Sequence, residues 1–256
     1  MIKAAFFDID GTLFSHTKHE IPESTKKALR ILKEKGIKVF LASGRGIQSI
    51  KLIDWCNLTF DGYVTLNGQI CLDAEQNLIY GAPIQGEDAE FLFDAFVNKK
   101  IPLAIVEKDR IYLNYIDDNV RKAQAAVAIK MHAIEEYKGA PVYQFIGYMG
   151  REETAEFAKN IPNCKITRWF EQGIDIISKD GGKAKGIEKI LETYGFTREE
   201  TIAFGDSDND VDMLEFVGIG VAMGNATNMV KERADYVTDH IDENGLWNAL
   251  RHFEII

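Results

Sequence analysis

Cysteine is scarce in this 256-residue chain. There are three, Cys56, Cys71 and Cys164, far apart and odd in number. No disulfide framework or thiolate metal site follows from that spacing, and such thiols suit a reducing compartment. Proline is scarce too, at five residues, and no low-complexity tract is visible, so disorder is not expected. Long apolar runs are missing, so no segment reads as a membrane span. The opening residues, MIKAAFFDIDG, do not read as a secretory leader, and a cytoplasmic location is expected. Positive charge is in the minority: 30 Lys and Arg face 40 Asp and Glu, a formal net charge of −10. That balance gives no general attraction for nucleic acid or an anionic membrane, and neither is expected as a partner.

What is present is a globular composition. The hydrophobic share of 46% can fill a core, and the length suits one large domain or two smaller ones. Ala4 to Phe7 is a short apolar run that breaks into Asp8, Asp10, Gly11 and Thr12. A run of that length bounded by turn residues reads as a buried strand. Two carboxylates about 4 Å apart just past its end would repel by roughly 4 kcal/mol at an effective dielectric of about 20. A divalent cation is the usual way to offset that. Turn chemistry alone also favours aspartate after a strand.

The same punctuation recurs. Ile37 to Ala42 reads as a strand that stops at Ser43-Gly44-Arg45, and Thr201 to Phe204 as one that stops at Gly205 to Asp210. Lys183 opens a helical pattern after Gly181-Gly182. Helices are expected from Pro22 (Thr25, Ala28, Leu29, Leu32), from Gly46 (Ile50, Ile53, Trp55) and over Ile187, Ile190, Leu191 and Tyr194. Tyr63 to Leu66 reads as a third strand and Ile70 to Tyr80 as a hairpin. Strands alternating with helices predict an α/β fold, a Rossmann-like parallel sheet with helices on both faces. Ligands of such sheets bind beyond the carboxyl ends of the strands, where Asp8, Asp10 and Ser43 fall.

After Pro83 the character changes. A helix over Glu87 to Lys99 precedes strands at Leu103 to Val106 and Ile111 to Tyr115. Val120, Ala123 and Val127 mark another helix, Val142 to Met149 a strand, and Arg151 to Lys159 a short helix. Lys165 to Phe170 and Ile174 to Ser178 then form a second hairpin. This antiparallel α+β pattern predicts an inserted domain over 83–179, between the core segments 1–82 and 180–256.

In order, FFDIDGTL, LASGR, GGKAKG and GDSDNDVDML resemble the four motifs of the haloacid dehalogenase superfamily, specifically its Cof-type sugar phosphatases, with an α/β cap between the second and third motifs. The resemblance covers the whole chain. It implies a Mg²⁺-dependent phosphatase for a small phosphorylated metabolite, a sugar (hexose) phosphate foremost, working through an aspartyl phosphate. By the resemblance, Asp8 is the nucleophile and Asp10 the general acid and base. Asp8, the Asp10 main-chain carbonyl and Asp206 would hold Mg²⁺. Ser43, Gly44 and Lys183 would hold the phosphoryl oxygens, helped by Asn209, while Asp210 orients Lys183 or a metal-bound water. Thr12 would steady the first loop, and Arg45 would touch phosphate or lie at the surface. The cap would close over the core and select the leaving group.

Other readings stand beside these. Ser43 also suits a helix N-cap, Lys185 competes with Lys183, and Asp210 suits a helix cap. His16 and His19 are expected to be exposed, and Trp169 and Phe170 suit the core of the cap as well as a sugar. A phosphotransferase or phosphomutase would share all four motifs. A receiver-like phosphoaspartate signalling module is the rival from another class. A monomer or weak oligomer is expected.

Overall fold

The computed structural model describes residues 1–126 and 131–256. The chain divides into two compact units, Met1–Tyr80 with Gly182–Ile256, and Gly81–Gly181. In chain order the first unit begins with β1 (Ala4–Phe7), α1 (Glu23–Glu34), β2 (Lys38–Ala42), α2 (Ile47–Ile50), β3 (Gly62–Thr65), β4 (Ile70–Asp73) and β5 (Leu78–Gly81). The second unit holds α3 (Gly86–Val97), β6 (Leu103–Val106), β7 (Ile111–Leu113), α4 (Asp118–Ala126), β8 (Gln144–Gly147), α5 (Arg151–Ala158), β9 (Cys164–Phe170) and β10 (Gly173–Ser178). The first unit resumes with α6 (Lys183–Tyr194), β11 (Thr201–Gly205), α7 (Val211–Phe216), β12 (Ile219–Ala222), α8 (Asn228–Arg233), β13 (Tyr236–Val237) and α9 (Gly245–His252).

Among the described residues the first unit has one eight-stranded sheet, ordered β13-β12-β11-β1-β2-β3-β4-β5. The first six strands in that order are parallel, and β4 runs antiparallel to β3. All four residues of β1 are buried, which is why it reads as an unbroken apolar run rather than an alternating one. Phe6 stacks on Phe40 and Phe7 on Phe204, with ring centroids 4.9 and 5.1 Å apart. Successive residues of a strand point to opposite faces, so these two pairs knit the sheet on both sides. The Phe6 side packs on Ile187, Ile190 and Leu191 of α6, Met213 and Leu214 of α7, and Val230 of α8. The chain leaves the central β1 toward β2 and β3, then returns to build β11, β12 and β13 on its other side. That reversal opens a crevice at the carboxyl ends of β1 and β11, the usual ligand position in such sheets.

The second unit has a five-stranded antiparallel sheet, β7-β6-β8-β10-β9. One face is the main core: Leu103, Ile105, Phe145, Ile174 and Ile176 pack on Leu92, Ala95 and Phe96 of α3 and on Phe157 of α5. On the other face, Val120 and Ala123 of α4 cover Ala104, Leu113 and Tyr148. Val127, expected in that helix, lies outside the described residues.

One expected element is much shorter than its pattern. The helix from Gly46 through Trp55 is the four-residue α2. The Trp55 indole N–H donates to the Ile50 carbonyl at 3.0 Å, taking an acceptor that a longer helix would use. Cys56 and Asn57 then adopt positive φ, 50° and 64°, and turn the chain away. The third strand stops at Thr65 rather than Leu66, because Leu66–Gly68 forms a tight helical turn with Asn67 at φ 53°.

Candidate active site

Asp8 follows β1 directly and Asp206 follows β11 directly. Since β1 and β11 are paired in register, the two carboxylates emerge side by side. A ligand oxygen from each of Asp8, Asp206 and Asp210 lies within 4.8 Å of the others. Lys183, the first residue of α6, is fully buried and donates from Nζ to Asp8 Oδ1 at 2.7 Å and to Asp210 Oδ1 at 2.5 Å. The other Asp210 oxygen accepts the main-chain N–H groups of Asp206 and Ser207, both at 2.9 Å. Asp210 thus ties the lysine to the loop that carries Asp206. It caps α7 by position but makes no side-chain cap bond there.

Three carboxylates surround one ammonium, so the cluster carries excess negative charge. Burial pushes the Asp8 carboxyl well above the usual carboxylate range, against the pull of Lys183. Asp206 is pushed up to about 6, by burial first and then by the charge of Asp210. Burial alone would lower the pKa of Lys183, but Asp210 and Asp8 outweigh it and raise it. Both shifted acids signal charge that the protein does not neutralise by itself. Hard oxygen donors with uncompensated charge are the donor set of a divalent cation site.

The supporting groups are specific. Thr12, fully buried, donates its hydroxyl to Asp206 Oδ1 at 2.9 Å. Gly11 sits at φ +83°, and a Cβ there would run into the Asp206 carboxylate, so only glycine permits both the turn and the close approach. Ser43 is buried at the end of β2, where its Oγ accepts the Arg45 main-chain N–H at 3.1 Å. It is not the N-cap of α2; that position is Gly46. Gly44 packs beside the Asn67 amide. Asn209 donates to Asn67 Oδ1 at 2.9 Å, and the Asn67 main-chain N–H donates to the Ser43 carbonyl at 3.0 Å. Lys185 points elsewhere, pairing with Glu188 at 2.5 Å in an exposed position.

Asp10 stands apart from the carboxylate cluster. Arg45 holds it through two bonds, Nε to Oδ2 at 2.6 Å and Nη2 to Oδ1 at 2.7 Å. His16 Nε2 lies 3.2 Å from Asp10 Oδ1. The third carboxylate of the cluster is therefore Asp210, and the Asp10 side chain is no part of it. Arg45 is the partner of Asp10 rather than a free surface residue, and His16, exposed as expected, joins the same pair. Sequence reasoning overlooked two asparagines. Asn67 links Ser43 to Asn209, and Asn225 donates to the Gly11 carbonyl at 2.8 Å while accepting from the Ile241 main chain at 3.0 Å. Both lie just past a strand of the same sheet, two residues after β3 and three after β12, whereas Asp8 and Ser43 follow their strands directly.

This arrangement defines a class. The model of the haloacid dehalogenase-like hydrolases matches residues 5–250, and the chain belongs to that family. The chain is similar to YkrA of Bacillus subtilis (strain 168), which bears a phosphatase name, at 34% identity over 99% of this chain and 98% of that one. It is 27% identical to the 5-amino-6-(5-phospho-D-ribitylamino)uracil phosphatase YcsE of the same organism, over 98% and 96% of the two chains. The solved structure of BT4131, a sugar phosphatase of subclass IIB of the superfamily, matches with a TM-score of 0.84 at 40% identity, over 99% of this chain and all of that one. The chain is an enzyme, a phosphatase of the haloacid dehalogenase type. Among the described residues no helix is long and apolar enough to cross a membrane.

Proposed function

We propose that the chain is a Mg²⁺-dependent phosphatase acting on a small phosphorylated metabolite with a hydroxylated leaving group, a sugar phosphate above all, through an aspartyl phosphate on Asp8. The observation that carries this reading is the buried Asp8 carboxylate, fixed by Lys183 through one oxygen, with Asp206 and Asp210 alongside. One oxygen so held leaves the other as nucleophile. It attacks phosphorus while the ester P–O bond breaks. Asp10, held ready by Arg45, gives a proton to the leaving oxygen. It then takes one from the water that attacks phosphorus, releasing inorganic phosphate and restoring Asp8. Lys183, Ser43 and the main-chain groups around Gly44 hold the phosphoryl oxygens, with Asn209 and Asn67 setting the Ser43 loop.

Asp8 and Asp206, with the Asp10 main-chain carbonyl, would hold Mg²⁺, which when bound neutralises developing phosphoryl charge. The second unit serves as the substrate-selecting domain. Support for the substrate class comes from two relatives. BT4131 is a sugar phosphatase, and the YcsE substrate carries its phosphate on a ribityl chain. Asp8→Asn tests the nucleophile: turnover should vanish while the thermal transition stays. Appreciable phosphate release by the variant would remove Asp8 from this role.

A further inference from the structure

The turn after β3 has an unusual backbone. Leu66, Asn67 and Gly68 sit in succession at φ 51°, 53° and 86°, and all three are buried. Glycine takes that left-handed region freely and asparagine tolerates it, but leucine rarely does. Strain of this kind persists only where the surroundings hold it, and it gathers at functional sites. Here the holding groups belong to the loop after β2. The Leu66 main-chain N–H donates to the Arg45 carbonyl at 3.2 Å, and the Asn67 N–H to the Ser43 carbonyl at 3.0 Å. These two bonds bracket Gly44. A Cβ on Gly44 would stand 3.2 Å from Asn67 Oδ1 and 3.3 Å from its Nδ2, so the amide lies directly against that residue. A Cβ on Gly68 would run into the Gly182 carbonyl oxygen. Only glycine lets the turn meet the residue that precedes Lys183.

The Asn67 amide also reaches across the sheet. Its Oδ1 accepts from Asn209 Nδ2 at 2.9 Å. Asn67 lies past β3 and Asn209 past β11, and the sheet runs β11-β1-β2-β3. Three strand spacings separate them, roughly 14 Å in the sheet itself. The two loops therefore converge across the ends of β1 and β2 to make this bond. The groups read as holding the phosphoryl oxygens come from both sides of β1: Ser43 and Gly44 follow β2, and Asn209 follows β11. The turn at Asn67 meets both sides. The acidic cluster is held by other means. Thr12 donates to Asp206, while Lys183 and the main-chain N–H groups of Asp206 and Ser207 donate to Asp210.

We propose that Asn67 is a positioning residue for phosphate: its amide sets the spacing between the Ser43–Gly44 loop and Asn209, so that donors from both sides of β1 close on one phosphoryl group. This rests on the phosphatase reading and adds to it the residue that assembles the anion-holding half of the site separately from the acidic half. Asn67 acts through Asn209 and Gly44, not through a contact with the substrate. Asparagine suits the place because it tolerates the left-handed backbone and carries an acceptor oxygen. Donors fixed in advance need no reorganisation when the anion arrives.

The test is a double-mutant cycle read by binding. Inorganic phosphate is titrated by calorimetry into the enzyme with Mg²⁺ present, and Mg²⁺ alone is followed by the shift it gives in Tm. Asn67→Gly accepts the left-handed backbone and removes only the amide. It should raise the phosphate dissociation constant about tenfold, while the Tm shift given by Mg²⁺ keeps its wild-type size. Asn209→Ala should weaken phosphate binding at least as much. In that background Asn67→Gly should add less than about twofold, because its partner is already gone. A merely structural role would lower the Mg²⁺ shift and the phosphate affinity together, or lower Tm with phosphate binding unchanged, and either result would overturn the proposal. So would full additivity in the double variant. A wild type that takes up no phosphate with Mg²⁺ present would count against the phosphatase reading and remove the proposal with it. If the wild type binds phosphate and Asn67→Gly binds it as tightly, the positioning role alone is refuted.

Discussion

Replacing Lys183 by Met removes the one ammonium inside the acidic cluster and leaves a side chain of similar length. In the wild type its two contacts, 2.7 Å to Asp8 and 2.5 Å to Asp210, are each worth about 6 kcal/mol of gross attraction at an effective dielectric of about 20. Most of that offsets the cost of burying the ions. The loss on removing one partner is smaller, about 3–5 kcal/mol, because a buried charge is left without compensation. At about 2–4 °C per kcal/mol for a chain of this size, Tm of the first unit should fall by roughly 6–20 °C. The loss should depend on pH. Asp8 and Asp206 already bind protons more tightly when folded than when unfolded, so their contribution to stability falls as pH rises above the unfolded carboxylate value. Without Lys183 that fall is steeper. Calorimetry in chelator should therefore show a large deficit at pH 8 and a small one at pH 5. Lys185→Ala, which removes an exposed pair with Glu188, should melt close to the wild type. A Lys183→Met protein with the wild-type Tm at pH 8 in chelator would refute the electrostatic reasoning.

Other outcomes follow from the same geometry. Chelator should silence turnover and Mg²⁺ restore it, and Mg²⁺ should raise Tm more at pH 8 than at pH 5, because the cation competes with protons for Asp206, which titrates near 6; activity in rigorously metal-free buffer would contradict this. Gly11→Ala forces an L-residue to φ +83° and pushes on Asp206, at a backbone cost of about 1–3 kcal/mol; Mg²⁺ titrations of activity should show weaker binding, and an unchanged midpoint would count against Gly11 as a spacer. Asp175 is raised to about 7 by burial, so the folded state holds its proton where the unfolded chain has lost it. Stability of the second unit should fall by up to about 4 kcal/mol as pH rises from about 4 to 7. Asp175→Asn should flatten that slope in thermal melts.

The strands β1, β2 and β11 were readable because each ends on a polar cluster. Ala4 to Phe7 and Ile202 to Phe204 are apolar throughout since both of their faces are covered, and Asp8 and Asp206 interrupt them where the sheet stops. Gly181-Gly182 at the helix start favours Lys183 over Lys185 in the sequence, but its burial could not be read, because that comes from the first turn of α6 meeting Asp8 and Asp210. The pairing of Asp10 with Arg45 joins residues 35 apart, and no periodicity reports such a contact. The helix expected through Trp55 failed for a related reason: apolar spacing marked a buried face, while one indole bond and two positive-φ residues decided where the helix stopped. Asn67 and Asn225 carried a usable signal, an amide two or three residues past a strand of the sheet, but their bonds to Asn209 and Gly11 are tertiary. In the second unit the strand pattern was plain, whereas the order of its five strands is set by tertiary pairing that no local pattern reports.

Covalent trapping addresses the chemistry most directly. The enzyme is mixed with Mg²⁺ and glucose 6-phosphate, quenched in acid during turnover, treated with borohydride and digested for mass spectrometry. An aspartyl phosphate is reduced to homoserine, whereas a free carboxylate is not. Homoserine at residue 8, and no conversion at Asp10, Asp206 or Asp210, is the expected result. An unmodified Asp8 peptide from enzyme caught in rapid turnover, or homoserine at another of these positions, would contradict it.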